Sequence, residues 1–395
     1  AMFFTIYFGF VNVRRFPLAI NTVRGKYDEV DHNESSEKYL GTEEEIINIT
    51  RDVSKQGEVS HFQALATAVS GTVGNGNIAG VALAIAVGGP GATFWMILCG
   101  LLGMSTKFVE CTLGVRYRDL GEDGTVYGGP MYYLSKGLRE CGLARLGKFL
   151  AVTFALLCIG ASFGGGNAAQ SNQAAMQLVN SLGMSGGSAR TIIGLIMMIF
   201  VGIIIIGGIK RIALVTEKIV PFMALMYILA CIYIIGSNFN FVDDAFGMIF
   251  SQAFIPQAGL GGLLGVLITG FRRAAFSNEA GAGSASIAHA AVKTKYAASE
   301  GLVALLEPFI DTVVICTMTA LVIIIFNGDS TVFNYGGVGG KVMIDGVVVE
   351  GAGITTAAFS KYISFSGPFL TIAVVLFALS TMISWSYYGL QSWMF

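Results

Sequence analysis

The chain has 395 residues, of which 54% are apolar and only 12% are charged, whereas a soluble domain carries roughly 25% charged residues. Glycine is abundant, at 52 residues, which weakens helices in water but suits helices packed closely in lipid. With a net charge of −1 the chain also lacks the electrostatic footprint of a nucleic-acid-binding protein, so a membrane protein is the class that remains.

Long runs without Asp, Glu, Lys or Arg predict the membrane spans. A bilayer core of roughly 30 Å needs about 20 apolar residues per helix, so the longest runs can hold two helices each. The charge-free runs are 62–106, 149–189, 191–209, 219–242, 245–271, 312–326 and 362–395. They indicate an all-α polytopic membrane protein.

Eight spans are predicted in chain order. The apolar start of the chain, 1–13, is interpreted as the remnant of an N-terminal transmembrane helix, and a hydrophilic loop, 14–60, follows it with an acidic stretch at 28–45. Spans 1 to 8 are predicted at about 61–87, 92–117, 149–179, 191–206, 212–236, within 260–291, 301–326 and 368–389. Between them we expect a surface helix at 131–138, an amphipathic stretch at 242–254, and a strand-like segment at 327–354 inside an extracellular loop, 327–366.

The positively charged residues predict the orientation of the spans. If the loop 14–60 is cytoplasmic, that side carries eighteen Lys and Arg residues, whereas the opposite side carries only Arg190, Lys341 and Lys361. Cytoplasmic loops of membrane proteins carry the excess of positive charge. Span 1 is therefore predicted to enter the membrane from the cytoplasm.

The middle of span 1, Ser70 to Asn77, contains three glycines and two asparagines. This composition makes a poor helix interior, and each backbone group that a break frees costs several kcal/mol in lipid unless a partner satisfies it. Two half-helices that meet at a break direct amide N–H groups at an anion and carbonyl groups at a cation. We therefore expect a binding site here. The alternative is glycine-mediated helix packing, with the asparagines bonded to neighbouring helices.

Span 6 is interrupted by a similar stretch of polar and small residues, 276–284. Paired interruptions in corresponding positions of two halves point to the binding site of a transporter. Because the two interruptions lie five spans apart, they suit two five-helix repeats of opposite orientation. The intramembrane Glu279 has either a coupling role or a structural pairing with Arg272 or Arg273.

Five stretches of the sequence closely resemble the alanine or glycine:cation symporter family. They are GTVGNGNIAGV at 71–81, GGPGA at 88–92, GGPMYY at 128–133, FSNEAG at 276–281 and WSYYG at 385–389. The resemblance covers nearly the whole chain and implies a sodium-coupled transporter of alanine or glycine. It also implies the LeuT-type fold of the amino acid-polyamine-cation superfamily, in which one extra helix precedes a 5+5 inverted repeat.

By this resemblance the first repeat covers 61–237 and the second covers 238–395. Family members have a full first helix and two more helices after the WSYYG motif. We therefore expect the chain to be truncated at both ends and its second repeat to be incomplete.

The resemblance further implies roles for individual residues. The span 1 motif is similar to the unwound first helix of the bacterial leucine transporter, which implies that the amides of Asn75 and Gly76 face the substrate carboxylate. The residues expected to bind the amino acid are Thr72, Gly74, Asn75, Gly76, Gly165, Asn167, Gln170, Phe276, Ser277, Asn278, Thr381 and Trp385. The expected sodium ligands, all of them oxygen donors that suit a hard cation, are Thr72 and Asn77 at one site and Ser70, Val73, Ser380 and Thr381 at a second.

Trp385 lies one helical turn beyond Thr381 on span 8, so both side chains can face one cavity. A bulky indole there leaves room only for a small side chain and favours alanine or glycine over leucine. The alternative is that Trp385 is an ordinary core or lipid-facing residue. On span 3, Asn167 and Gln170 are either pocket residues or form hydrogen bonds that pack helices together.

Other polar residues inside the spans also have structural interpretations. Glu110 is expected to form an ion pair with Lys107 or Arg116 on a neighbouring turn, and His289 is expected to be a hydrogen-bonded interior residue. Two acidic residues of span 7 are candidates for proton-coupled or conformational steps, namely Glu307 and Asp311.

Sodium-coupled symport of alanine or glycine into the cell, by alternating access, is the leading hypothesis. Proton coupling in place of sodium is the main alternative, and a passive facilitator or channel would need a continuous polar pathway. An enzyme is not expected, because the sequence has no Ser/His/Asp set, metal-ligand cluster or paired acids at a common depth. The expected partners are the small amino acid, sodium and the lipids of the cell membrane, without nucleic acid.

Overall fold

A computed structural model of the chain describes residues 1–27, 57–184, 187–254, 262–328 and 330–395. Within these ranges six helices are long and apolar enough to cross a membrane, and a bent pair of helices can form a seventh crossing. This confirms the prediction of an all-α polytopic membrane protein. The acidic stretch 28–45 lies outside the described residues.

Among the described residues, seven of the eight predicted spans coincide with helices that can cross a membrane, and the region of span 6 holds two shorter helices. Their helices are His61–Thr72, Gly76–Gly80 and Val81–Gly88 in span 1, Gly91–Arg116 in span 2, Ala144–Ala161, Ser162–Ala168 and Ala169–Ser181 in span 3, Gly187–Ile205 in span 4, Gly208–Ser237 in span 5, Gly262–Asn278 and Ala285–His289 in span 6, Ala297–Ala304, Leu306–Pro308, Phe309–Cys316 and Thr317–Asn327 in span 7, and Ser366–Met394 in span 8. Three of these segments have π-helical geometry, namely Gly76–Gly80, Ser162–Ala168 and Phe309–Cys316. Such segments occur frequently at functional sites.

Shorter elements connect the spans. The connecting helices are Met2–Tyr7, Val11–Arg14 and Phe16–Val23 before span 1, Pro130–Glu140 after span 2, Phe239–Phe241 and Val242–Gln252 after span 5, and Val338–Gly340 and Ala352–Tyr362 after span 7. Two antiparallel hairpins pair Asp119–Leu120 with Val126–Tyr127 and Lys341–Ile344 with Val347–Glu350. The second hairpin is the predicted strand-like segment.

The N-terminal segment differs from the sequence prediction. The hydrophilic loop was expected to start at residue 14, but the helix Phe16–Val23 follows there. The Phe16 ring packs edge-on against Phe309 of span 7, with ring centroids 4.8 Å apart, and Ala19 is fully buried. The local charges alone predicted a loop at these residues, but their packing against span 7 holds them as a helix beside the bundle.

Span 7 runs through the middle of the bundle, and spans 3 to 5 lie at its periphery. In the most apolar window of span 7, 67% of the residues are buried, compared with 28% in spans 3 and 5 and 22% in span 4. The exposed side chains of the peripheral spans are mostly large and apolar. They therefore form a lipid-facing surface, while spans 1, 6, 7 and 8 enclose the polar centre described next.

Candidate functional site

Span 1 breaks near its middle and bends by 51° between its two halves, His61–Thr72 and Gly76–Gly88. The first half begins with a capping box, in which Ser60 and Gln63 exchange side-chain to backbone hydrogen bonds. It ends at Thr72, because the next residue, Val73, has a ψ of 91°, which is extended rather than helical. The break therefore falls inside the glycine- and asparagine-rich stretch.

Side chains satisfy two of the backbone amides that the break frees. The Gly74 amide donates to Asn77 Oδ1 (2.9 Å), and the Asn75 amide donates to Gln170 Oε1 of span 3 (3.4 Å). Thr355 Oγ1, on the helix before span 8, adds a hydrogen bond to the carbonyl of Ile78 (3.0 Å), which also accepts a backbone N–H of span 1. Because unpaired backbone groups are costly in lipid, the two amide contacts stabilise the break at membrane depth.

Asn77 connects the break to spans 6 and 7. Its Nδ2 donates to Asp311 Oδ1 (2.6 Å) and to Ser277 Oγ (3.3 Å). Asp311 is fully buried, and its other oxygen accepts a hydrogen bond from Thr312 Oγ1 (2.7 Å). Asn278 Nδ2 in turn donates to Thr312 Oγ1 (2.9 Å). A buried carboxylate beside amide and hydroxyl oxygens is a donor set that a hard cation prefers.

A second group of oxygens lies between span 1 and span 8. Ser70 Oγ donates to the carbonyl of Ser380 (2.8 Å) and lies 2.6 Å from Ser384 Oγ. Thr381 is so close to Gly74 that a Cβ on this glycine would lie 2.4 Å from Thr381 Oγ1. The predicted residues Ser70, Ser380 and Thr381 are thus brought together with the break, and Ser384 joins them.

Span 6 also breaks, between Asn278 and Ala285, and Glu279 at this break has a φ of +54°. The Glu279 carboxylate accepts hydrogen bonds from Ser284 Oγ and from the indole Nε1–H of Trp385 (3.0 Å). The structural pairing of Glu279 with Arg272 or Arg273 is therefore wrong for the described residues, since the side chains bonded to Glu279 come from span 8 and from its own break.

The glycine-rich part of span 3 forms the π-helical segment Ser162–Ala168. Gly166 faces span 8, because a Cβ there would lie 2.4 Å from Trp385 Cβ. A Cβ at Gly165, the predicted binding residue, would lie in open space: within the described ranges nothing except its own helix lies within 4 Å of that position. The two glycines therefore have different surroundings, and binding by Gly165 stays a prediction.

The two side-chain amides of span 3, Asn167 and Gln170, have different surroundings: one bonds its own span and span 8, and the other lies beside the break. Asn167 Nδ2 donates to the carbonyl of Ser162 (2.9 Å), and its Oδ1 accepts from Ser386 Oγ (3.3 Å). Asn167 therefore forms packing hydrogen bonds between spans 3 and 8. Gln170 is instead buried beside the break, through its contact with the Asn75 amide.

The remaining predicted residues lie at or beside the break. Phe276 packs next to Gly76, with a ring carbon 3.8 Å from the position of a glycine Cβ. Thr72 Oγ1 donates to carbonyls of its own helix (3.3 and 3.4 Å). The Asn75 side chain is 5% exposed, and neither of its polar atoms has a hydrogen-bond partner among the described residues. Because an unpaired buried amide is unfavourable, Asn75 is prepared to bind a polar ligand.

Two expectations about charged residues have different outcomes. Lys107 pairs with Glu307 of span 7 (3.1 Å), and over the described ranges it forms no ion pair with Glu110, so the expected pair within span 2 is wrong. Tertiary packing brings Glu307 to Lys107, and Glu307 attracts Lys107 more strongly than Glu110 of the same helix does. His289 is fully buried and bonded to Glu300, as expected for an interior residue.

Sequence reasoning missed three contributors to the site. The sequence showed that Asp311 is an acidic residue inside an apolar span, but it did not predict the contact between Asp311 and Asn77. Ser384 follows Ser380 by four residues and so lies on the same helix face. Thr355 had no signal, since its bond to span 1 joins residues 277 positions apart.

Comparison with known proteins adds the family. A sequence model described as the sodium:alanine symporter family matches residues 1–395. The chain is 40% identical over 389 residues to the sodium/alanine symporter AgcS of Methanococcus maripaludis, covering 98% of this chain and 77% of the relative.

Two Bacillus subtilis proteins are also similar. The putative sodium/proton-dependent alanine carrier protein YrbD is 38% identical, over 87% of this chain and 69% of its own. The probable sodium/glutamine symporter GlnT is 36% identical, over 87% of this chain and 68% of its own. The names of these relatives thus include two amino acids and two coupling ions.

Proposed function

The chain belongs to the sodium:alanine symporter family, and on that premise we propose that it couples the entry of alanine or glycine to sodium at the break of span 1. The observation that carries the proposal is the broken helix, whose freed groups meet spans 3, 6, 7 and 8 at one place. Membership of the family makes it a multi-pass membrane transporter rather than an enzyme.

In this proposal the amino acid binds between the half-helices of span 1. Its carboxylate contacts the amides of Asn75 and Gly76, where the half-helix ends concentrate positive potential. The long bond from the Asn75 amide to Gln170 gives way to the stronger charge-assisted contact. The unpaired Asn75 side chain supplies a further polar contact, and Phe276 bounds the cavity at Gly76.

We propose two sodium positions with oxygen ligands. One lies among Thr72, Asn77, Ser277 and Asp311, where the carboxylate supplies a compensating charge. The other uses the hydroxyls of Ser70, Ser380, Thr381 and Ser384 with the carbonyl of Val73. Sodium at either position replaces hydrogen bonds within the protein, so its binding stabilises one arrangement of spans 1, 7 and 8.

The two breaks, in spans 1 and 6, support a LeuT-like arrangement of two inverted five-helix repeats, 61–237 and 238–395. Each repeat then begins with a discontinuous helix, and the site lies where the two meet. In the proposed alternating access, spans 1 and 6 move against the remaining helices, so that the site opens first to one side of the membrane and then to the other.

Uptake into proteoliposomes tests the proposal. We expect an inward sodium gradient to drive accumulation of alanine and glycine against their gradients, whereas leucine is taken up poorly. Asn77→Ala and Thr381→Ala should abolish uptake, and Ser392→Ala is the matched control because Ser392 bonds Met131 far from the break. Accumulation that is independent of sodium would reject sodium coupling, and equilibration without accumulation would indicate a facilitator or channel.

Proton coupling is the second candidate, and the buried Asp311 beside Asn77 favours it. A proton on this carboxylate can neutralise the site where sodium would otherwise do so. Uptake driven by a pH gradient in sodium-free medium, and lost in Asp311→Asn, would identify the proton as the coupled ion. Sodium-driven uptake that ignores the pH gradient would exclude it.

A further inference from the structure

Five ionisable residues form a buried cluster away from the break of span 1. We call them the Glu300 cluster, and they are His61, Lys107, His289, Glu300 and Glu307. His61 is 5% exposed, and the other four are fully buried. They come from spans 1, 2, 6 and 7, so the cluster joins both broken spans to the rest of the bundle.

The two carboxylates of the cluster occupy different environments. Glu300 accepts a hydrogen bond at each oxygen, from His61 Nδ1 at Oε2 and from His289 Nδ1 at Oε1. Glu307 accepts from Lys107 Nζ at Oε1 (3.1 Å). Both histidines must therefore carry their proton on Nδ1, because a carboxylate can only accept.

This arrangement leaves two acceptors facing one another. His289 Nε2 and Glu307 Oε2 lie 3.9 Å apart, and within the part of the chain that the structure describes neither has a hydrogen-bond partner. If the His289 ring is neutral, Nε2 presents a lone pair to a carboxylate oxygen in a fully buried site. A proton on Nε2 turns the opposed acceptors into a donor and an acceptor and gives the ring a positive charge that attracts the carboxylate.

We infer that the Glu300 cluster is a proton-binding site, in which His289 Nε2 carries one proton and the charged ring forms an ion pair with Glu307 Oε2 at 3.9 Å. With this proton and a neutral His61, the cluster contains two positive groups, Lys107 and His289, and two carboxylates, Glu300 and Glu307. Its charge is then balanced, as buried charges require. The ligand is the proton itself, and the inference does not depend on which amino acid or ion is transported.

Other charged groups face the cluster from the elements packed against it. Glu110 and Glu279 act on Lys107, and the guanidinium of Arg118, just beyond span 2, acts on Glu300. Burial lowers the pKa of Arg118 to about 10, so it stays charged at neutral pH while it donates to the carbonyls of Ala290 and Val292. The thiol of Cys111 also faces Lys107.

The proton lies beside a junction between the half-helices of spans 1 and 6 and affects the strength of that junction. His61 is the first residue of the first half-helix of span 1, and His289 is the last residue of the second half-helix of span 6. Both bind the same carboxylate, Glu300, of span 7. Loss of the proton leaves two acceptors opposed beside this junction and weakens it, so the junction is strongest while the proton is bound.

Nitrogen NMR of the full chain with isotope-labelled histidine tests the inference directly. The chain has only three histidines, and His289→Gln identifies the relevant signal by its loss. We expect the His289 ring to be protonated at both nitrogens at neutral pH and to lose one proton at alkaline pH. A singly protonated His289 ring at neutral pH would overturn the inference, and so would singly protonated signals from all three histidines, a result that needs no variant for assignment.

Variants locate the proton. In Glu307→Gln the amide can donate to His289 Nε2, so we expect the ring to become singly protonated. Glu110→Gln is the matched control, because it removes a buried carboxyl that also acts on Lys107 but leaves the Glu307 contact intact. Loss of the doubly protonated signal in Glu110→Gln, with retention in Glu307→Gln, would contradict the assignment.

The pH dependence of thermal unfolding gives a second readout. A proton bound by the folded state and absent from the unfolded state stabilises folding less as the pH rises. As the pH rises above about 6.5, the ordinary pKa of an unfolded histidine, the melting temperature should therefore fall more steeply for the natural sequence than for Glu307→Gln. Equal slopes would contradict the inference.

Discussion

Trp385 is positioned by contacts on two sides of its side chain. Glu279 accepts the indole N–H at 3.0 Å, and Gly166 lets the backbone of span 3 approach Trp385 Cβ. The side chain can rotate about two bonds, so a bulky ring limits the size of a substrate only when its orientation is fixed. Given the proposed place of Trp385 in the substrate cavity, we propose that Glu279 fixes the orientation of the indole and so contributes to selectivity.

Replacement of Glu279 should alter the preference for small amino acids. We expect Glu279→Ala to free the indole and to lower the preference for alanine over leucine by about tenfold or more, the range that side-chain size contributes in apolar pockets. Glu279→Gln keeps a carbonyl acceptor and should retain most of the preference. Competition of labelled alanine uptake by leucine measures both, and equal preferences in all three proteins would refute this role.

Among the three glycines of the span 1 break, Gly74 is the one at which an added side chain would meet the closest contact. Its Cβ would lie 2.4 Å from Thr381 Oγ1, so Gly74→Ala should force spans 1 and 8 apart. Such overpacking typically costs about 1–3 kcal/mol, and we expect sodium-dependent uptake to be lost. Gly80→Ala is the matched control in the same span, since among the described residues nothing lies within 4 Å of its Cβ position. Uptake by Gly74→Ala equal to that by Gly80→Ala would contradict the packing argument.

At the scale of elements, the broken span 1 is bonded to a helix far along the chain, through a contact that joins residues 277 positions apart. Thr355→Val keeps the shape of the side chain but removes this hydrogen bond to the carbonyl of Ile78, which still accepts a backbone N–H. A hydrogen bond contributes about 0.5–1.5 kcal/mol, so we expect a lower melting temperature in detergent. Thr356→Val is the control, because Thr356 donates to the carbonyl of Ala352 within its own helix. Equal melting temperatures for the two variants would show that Ile78 does not need this contact.

The positions of the spans and of the break in span 1 could be predicted from the sequence because their causes are local. Charge-free runs follow the thickness of the bilayer, and glycine with asparagine weakens a helix wherever they cluster. The helix Phe16–Val23 could not be predicted in this way, since it depends on packing against span 7. The π-helical segments also have no local composition that distinguishes them from α-helix.

At the scale of the whole molecule, the contacts of the site join residues that are far apart in the chain. Asn77 meets Asp311, and Glu279 meets Trp385, across 234 and 106 positions. Membrane insertion and the pairing of half-helices bring them together, so a single sequence reveals the residue types but not their partners. The same reason explains why Lys107 was assigned to Glu110 rather than to Glu307.

The proposed sodium positions predict that sodium stabilises the entire fold. Both lie between span 1 and later spans of the chain, so an ion bound there is lost when the helices separate. A ligand that binds only the folded state stabilises it by about 2.7 kcal/mol at a concentration 100 times its Kd. We therefore expect the melting temperature to rise with sodium concentration and to rise further when alanine is added, but not with choline at equal ionic strength.

The matched variants separate this linkage from a general effect of salt. Thr381→Ala removes a proposed sodium ligand of span 8 and should abolish the rise with sodium, whereas Ser392→Ala on the same span should keep it. Because binding energy shifts an equilibrium only by its difference between two states, the loss of stabilisation and the loss of uptake should occur in the same variants. A variant that keeps the sodium-dependent rise but loses uptake would place its residue in the conformational step rather than at the ion.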